Sequence, residues 1–231
     1  RLKNILKNIA LEEMPDSTLT KQCGSCPYLE DCFAKNPDSI FSLKTIPFSK
    51  KMSLYTKGVT TVDQYALLPD CTDAAKREIL VRSTDEDVYS KDEIKAFLNN
   101  LHYPLGFLDF ETMEVFRPTE KFLSPMDTVI TQFSYHLIEK EGAEAVHYEF
   151  IGDGEHYCER EAAEALCSCI KENHCVLMYS DYEKICIERL MSRLPKYKDR
   201  LKPIVENLVD LEKPFSAKLL VNRAMEGKSS L

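Results

Sequence analysis

In Leu105-Gly106-Phe107-Leu108-Asp109-Phe110-Glu111-Thr112, two acids interrupt an apolar run. Large apolar side chains on either side of Asp109 predict a central β-strand buried on both faces. Side chains alternate along a strand, so Asp109 and Glu111 emerge on the same face. Two unpaired carboxylates on a buried face repel each other and resist losing water. A divalent cation relieves both difficulties, and Mg²⁺ or Mn²⁺ prefers carboxylate oxygen. The competing reading is an edge strand whose acids simply face water.

Downstream, a loop over 113–126 leads to a second strand at Val129–Ile138, where apolar and polar residues interleave. A turn at Glu141-Gly142 leads to a third strand, Ala145–Ile151, which predicts an antiparallel meander. A helix over about His156–Glu172 follows, then a short buried strand at Cys175–Ser180. Further helices are expected at Tyr182–Leu194 and ending at Leu208. The order β-β-β-α-β-α predicts an α/β fold, a mixed sheet with flanking helices. A second acidic position lies in Met178-Tyr179-Ser180-Asp181-Tyr182-Glu183, where strand runs into helix. Ser180 or Asp181 can cap that helix, which puts Glu183 in its first turn. Glu183 is then either an acid favoured by the helix dipole or a third carboxylate beside Asp109 and Glu111. Asp210 is another acid in an apolar setting.

Upstream, residues 1–102 read as a helical and loop-rich region. An amphipathic helix is expected over 1–10, a helix N-capped by Thr61, and another over Asp73–Arg82. Ser90-Lys91-Asp92-Glu93 has the form of a capping box opening a helix through Leu101. The pattern changes near Tyr103, giving two regions, 1–102 and 103–231. In the first, Cys23, Cys26 and Cys32 are spaced C-x2-C-x5-C, with Gly24 and Pro27 suited to a tight turn. Thiolates gathered this way suit Zn²⁺ or an iron–sulfur cluster. A fourth ligand would be Cys71 or a residue upstream of Arg1. The alternative is a small Cys-rich loop without metal.

Of the 231 residues, 44% are hydrophobic and 29% charged, as in an ordinary globular protein. No apolar run approaches the ~20 residues of a membrane span, and no secretory h-region opens the chain. The nine cysteines therefore read as reduced thiols or metal ligands, and the protein as cytoplasmic. Arg1 in place of Met predicts a piece of a longer protein. A net charge of −8 argues against a protein-wide electrostatic grip on nucleic acid. It leaves room for a metal nuclease, whose acidic centre meets phosphate through cations. The five histidines show no triad logic, and there is no Gly-rich phosphate loop.

The strand Phe107-Leu108-Asp109-Phe110-Glu111-Thr112 resembles the first motif of DEDD-type 3′–5′ exonucleases, which have a ribonuclease H-like fold. Residues 103–231 resemble, more narrowly, an uncharacterised bacterial domain family on that core. The features shared with it are Gln132-Phe133-Ser134, Tyr182-Glu183, Val209-Asp210-Leu211 and Gly227-Lys228-Ser229-Ser230-Leu231. Cys23, Cys26 and Cys32 are similar to the Cys-rich segment of RecB-like iron–sulfur nucleases. The resemblance implies two-metal hydrolysis of DNA or RNA phosphodiesters, with Mg²⁺ or Mn²⁺ held by Asp109, Glu111 and Glu183. Asp181 is the alternate to Glu183, and Gln132 and Thr112 are implied in substrate binding. Where the second DEDD motif has Asn-x-x-Phe-Asp, this chain has Tyr179-Ser180-Asp181-Tyr182-Glu183. The family's final Asp is expected beyond Leu231, so the domain reads as truncated at its C-terminus. The rival reading is a catalytically inactive nucleic-acid or protein-binding module on the same fold.

Overall fold

The computed structural model describes residues 2–11, 17–84, 86–225 and 229. The chain forms two compact units. One comprises residues 1–89 and 220–228, the other 90–219 and 229–231. The boundary thus falls near residue 90, and a short C-terminal stretch returns to the first unit. The Gly227–Leu231 motif lies outside the described residues except for Ser229.

The first unit carries α1 (Leu2–Ile9), α2 (Phe48–Thr56), α3 (Val62–Ala66), α4 (Asp73–Thr84) and the short β1 (Val88–Tyr89). Its core gathers Ile40, Phe41, Leu43, Leu54, Tyr65 and Ala75. Thr61 caps α3 as expected, accepting from Gln64 N–H (3.3 Å) within a capping box. Glu78 of α4 is buried but satisfied. Its two oxygens accept from the N–H groups of Lys44 and Thr45 (both 2.8 Å), and Arg82 lies 3.2 Å away. The apolar stripe of α1 is amphipathic as expected, yet Leu2, Ile5, Leu6 and Ile9 are all exposed.

The second unit opens with α5 (Lys91–Leu98), shorter than expected. Ser90 stands at its N-cap but its side chain makes no capping bond. The sheet strands follow: β2 (Leu105–Val115), β3 (Asp127–Ile138) and β4 (Val146–Ile151). Next come α6 (Glu159–Cys169), β5 (Cys175–Met178), α7 (Tyr182–Arg193) and α8 (Lys198–Glu206). β6 (Leu208–Asp210) and α9 (Lys213–Ser216) complete the unit, and β7 (Leu220–Val221) pairs with β1 in the first unit. The fold is α/β, with a five-stranded mixed sheet in the order β4-β3-β2-β5-β6. β2, β3 and β4 form the expected antiparallel meander, while β5 and β6 run parallel to β2 on its other side.

β2 is central, but only one of its faces is buried. Leu108 and Phe110 enter a core shared with Phe133, Tyr135, Ala163, Ile187 and Leu201. Phe107, Asp109 and Glu111, on the opposite face, are exposed. The expectation of two buried faces fails because α6, α7 and α8 all contribute to a single core on one side. Glu159 of α6 ties that layer to β3. It is 1% exposed, accepts from Ile130 N–H (3.0 Å) and Tyr157 hydroxyl (2.6 Å), and pairs with Arg193 of α7 (2.9 Å).

Gly106 is required by close approach. A Cβ there would stand 2.1 Å from the Tyr135 hydroxyl. Tyr135 crosses the glycine to donate to His174 Nδ1 (2.8 Å), which also accepts from Lys171 N–H (3.3 Å). Burial lowers the His174 pKa, consistent with a neutral ring that accepts at Nδ1. Gly106→Ala is expected to destabilise the protein by ~1–3 kcal/mol, the usual range for overpacking a core. Urea unfolding monitored by far-UV circular dichroism checks it, and a midpoint equal to wild type would contradict this account.

Candidate metal-binding acidic site

β5 pairs with β2 only from Leu105 to Phe107. The chain then turns at Ser180, whose φ of +75° lies in the left-handed region, and enters α7. Beyond Phe107, no strand among the described residues pairs with that edge of β2. The resulting notch, at the carboxyl ends of parallel strands, is where open α/β sheets place their ligands.

Asp210 holds the turn in place. It is 7% exposed, and its Oδ1 accepts from the N–H groups of Ser180 (3.0 Å) and Glu212 (2.8 Å). Asp181 takes the N-cap position of α7 but makes no side-chain cap, and it remains exposed. Glu183 follows in the first turn and is 4% exposed. Its Oε2 is buried with no hydrogen-bond partner. Burial pushes the Glu183 carboxyl up to about 6, the negative charges of Asp109 and Asp210 push the same way, and the N–H groups of Glu183 and Phe110 partly offset this.

Asp109 and Glu111 do share one face of β2, opposite Ser134 and Gln132 of β3 respectively. Among the described residues neither makes an ion pair. Glu183 thus lies within electrostatic reach of Asp109 and Asp210, and Asp181 is exposed. The Thr112 hydroxyl is bonded to that of Tyr182 and ties β2 to α7. Gln132 lies across from Glu111 on the open face. The role of Asp210 in fixing the turn was not legible beforehand. Its only signal was an acid inside Leu208-Val209-Asp210-Leu211.

The cysteines do not assemble into a ligand set. Cys23 lies in a 3-10 turn (Lys21–Ser25), and its thiol accepts from Thr20 N–H (3.4 Å). Cys32 lies in a separate turn (Glu30–Ala34) and accepts from the Ser17 hydroxyl (3.1 Å), while Cys26 is exposed. Cys71, the candidate fourth ligand, is 5% exposed in the apolar core instead. Among the described residues, no group of three or more His, Cys, Asp or Glu side chains is placed to hold a metal ion, at the acids or at the thiols. No described helix is long and apolar enough to cross a membrane.

Residues 106–230 match a family described as Domain of unknown function (DUF2779). The chain belongs to the DUF2779 family. No curated protein and no solved structure matches it. The DUF2779 span holds the acidic strand, the Ser180 turn, Glu183 and Asp210, whereas the cysteines at 23, 26 and 32 lie outside it.

An acid whose pKa is higher folded than unfolded adds stability below its unfolded value and loses that share as pH rises through its folded value. For Glu183 the window runs from 4.5 to about 6. That difference amounts to ~2 kcal/mol at most. Glu183→Gln should therefore be more stable than wild type at pH 8 by up to that amount, and nearly equal at pH 4. Urea unfolding at both pH values tests this, and a variant less stable at pH 8 would contradict the desolvated-carboxylate account.

Proposed function

We propose that the DUF2779 domain is a metal-dependent nuclease of the DEDD type, a 3′–5′ exonuclease on a ribonuclease H-like core acting on DNA or RNA. One observation carries this reading: a buried carboxylate oxygen of Glu183, without a partner, beside Asp109. Among the described residues this acid has no ion-pair partner. Mg²⁺ is commonly held by only one or two carboxylates, with water and substrate phosphate completing its shell, so a pair of acids is chemically sufficient. The sheet order, with the acidic strand between a meander and two parallel strands, is compatible with a ribonuclease H-like core.

Asp109 and Glu183 would hold a divalent ion, with Glu111 on the same strand face. A bound ion supplies activation of water and neutralisation of charge on the phosphodiester. The chain's own residues do the rest. Asp210 fixes the turn that presents Glu183, the Thr112–Tyr182 bond joins α7 to β2, and Glu111 can accept a proton from water approaching the open face. Gln132, opposite Glu111, offers an amide to the terminal nucleotide.

The second reading is a module that binds nucleic acid or protein without hydrolysis. It is favoured by the absence, among the described residues, of a three-ligand set. Two measurements separate the readings. Mn²⁺ at millimolar concentration should raise the melting temperature of the wild-type protein, and Asp109→Asn should lose that increase. Labelled single-stranded DNA and RNA should release mononucleotides with Mn²⁺. Asp109→Asn should lower that rate by at least the ~100-fold typical of losing an outer-shell partner. A Mn²⁺-induced increase without nucleotide release would select the silent module.

A further inference from the structure

Beyond Glu111, the same face of β2 leads into a cavity that the acids do not explain. Its volume is about 250 Å³, and Met113, Val115, Val129 and Thr131 line it together with Leu123 and Arg117. Met113 lies two residues past Glu111, and strand alternation puts both on the open side. β2 and β3 shift register between Glu111 and Thr112, where Thr131 becomes the extra residue of β3. Such a bulge bends the strand and re-aims side chains. Here the Thr131 hydroxyl donates to the Glu111 carbonyl (3.1 Å), so the edge of the cavity is fastened to the backbone of the acidic strand. The stretch from Gly152 to Cys158 closes the far side.

We propose that this cavity receives the base of the nucleotide whose phosphate lies at Asp109 and Glu111. The proposal rests on the nuclease reading for the position of that phosphate. Three features point to a planar, largely apolar group. The volume is below the ~300–1,000 Å³ of a drug-sized site, enough for one ring system. Met113, Val115, Leu123, Val129 and the ring of Tyr157 give the walls an apolar part beside polar groups such as Glu155, and the Met113 thioether is a favourable neighbour for an aromatic ring. The entrance carries a cation, because Arg117 is exposed and has no ion-pair partner among the described residues. A guanidinium stacks on any base without reading its sequence. The other basic group on the wall, His156, is already paired with Asp153 (2.8 Å). The spacing also agrees, since two residues of strand span about 6.6 Å, comparable to the reach from a nucleotide's phosphate to its base.

Isothermal titration with adenosine and adenosine 5′-monophosphate, each with and without Mn²⁺, tests the proposal on the whole chain. Adenosine should bind weakly and independently of Mn²⁺, and the monophosphate should bind more tightly when Mn²⁺ is present. Met113→Ala and Arg117→Ala alter exposed side chains and leave the core intact, and each should weaken both ligands by about 5-fold, the equivalent of ~1 kcal/mol. Mn²⁺-dependent monophosphate binding that ignores both substitutions, with no adenosine binding, overturns the pocket and leaves the nuclease reading standing. Adenosine binding that weakens in both variants, without any effect of Mn²⁺ on the monophosphate, supports the pocket and removes the nuclease reading. No binding of either ligand overturns the pocket.

Discussion

A mismatch in strand length governs the second unit. β2 runs from Leu105 to Val115, but its parallel neighbour β5 stops at Met178. Backbone groups in the middle of a sheet cannot be left bare without loss of stability. There α7 begins, and its first turn places Glu183 near enough to the Phe110 N–H for that group to lower the carboxyl's pKa. The turn depends in turn on Asp210, which accepts two backbone N–H groups and lets Ser180 take a left-handed conformation. Glu183 is therefore presented within electrostatic reach of Asp109 and Asp210 by a turn that backbone hydrogen bonds to Asp210 hold in place.

The one-sided packing of the sheet decides what else lies near them. With α6, α7 and α8 on one face, the other presents Asp109, Glu111, Gln132, Ser134 and His136. Across β3 and β4, the rings of His136 and His147 stack at 4.3 Å with the Ser134 hydroxyl between them. This face is polar and, around Asp109 and Glu111, acidic. An anionic substrate approaching it meets repulsion unless cations intervene, which fits the net charge of −8.

The meander, β5, α7 and the shared face of Asp109 and Glu111 were legible in the sequence, because alternation over six or more residues and a strand-to-helix change leave strong patterns. β6 was not legible, since Leu208–Asp210 is too short to show a period. Burial of both β2 faces was read wrongly. Apolar residues flanking Asp109 suit a core strand, but Phe107 is 38% exposed, and which face the helices cover is a tertiary matter. The capping box at Ser90 had the right letters and lacks the side-chain cap, whereas the same kind of signal at Thr61 formed in full. The cavity at Met113 draws on residues from three separated segments, and no local pattern announces such a meeting.

The state of Glu183 bears most directly on function. A protein selected only to fold would gain from a neutral side chain at that position, because a desolvated carboxylate facing two others opposes folding at neutral pH. Satisfied buried acids elsewhere in the chain show that the fold can accommodate charge when it needs to. Glu78 has two backbone N–H groups and Arg82, and Glu159 has the Ile130 N–H, the Tyr157 hydroxyl and Arg193. Among the described residues Glu183 is paired with no cation, and its Oε2 has no hydrogen-bond partner. Sites that oppose folding in this way are where function is to be sought. On the proposed reading its partner is a divalent ion, which is positive, small enough for a notch beside a strand and compatible with hard oxygen donors.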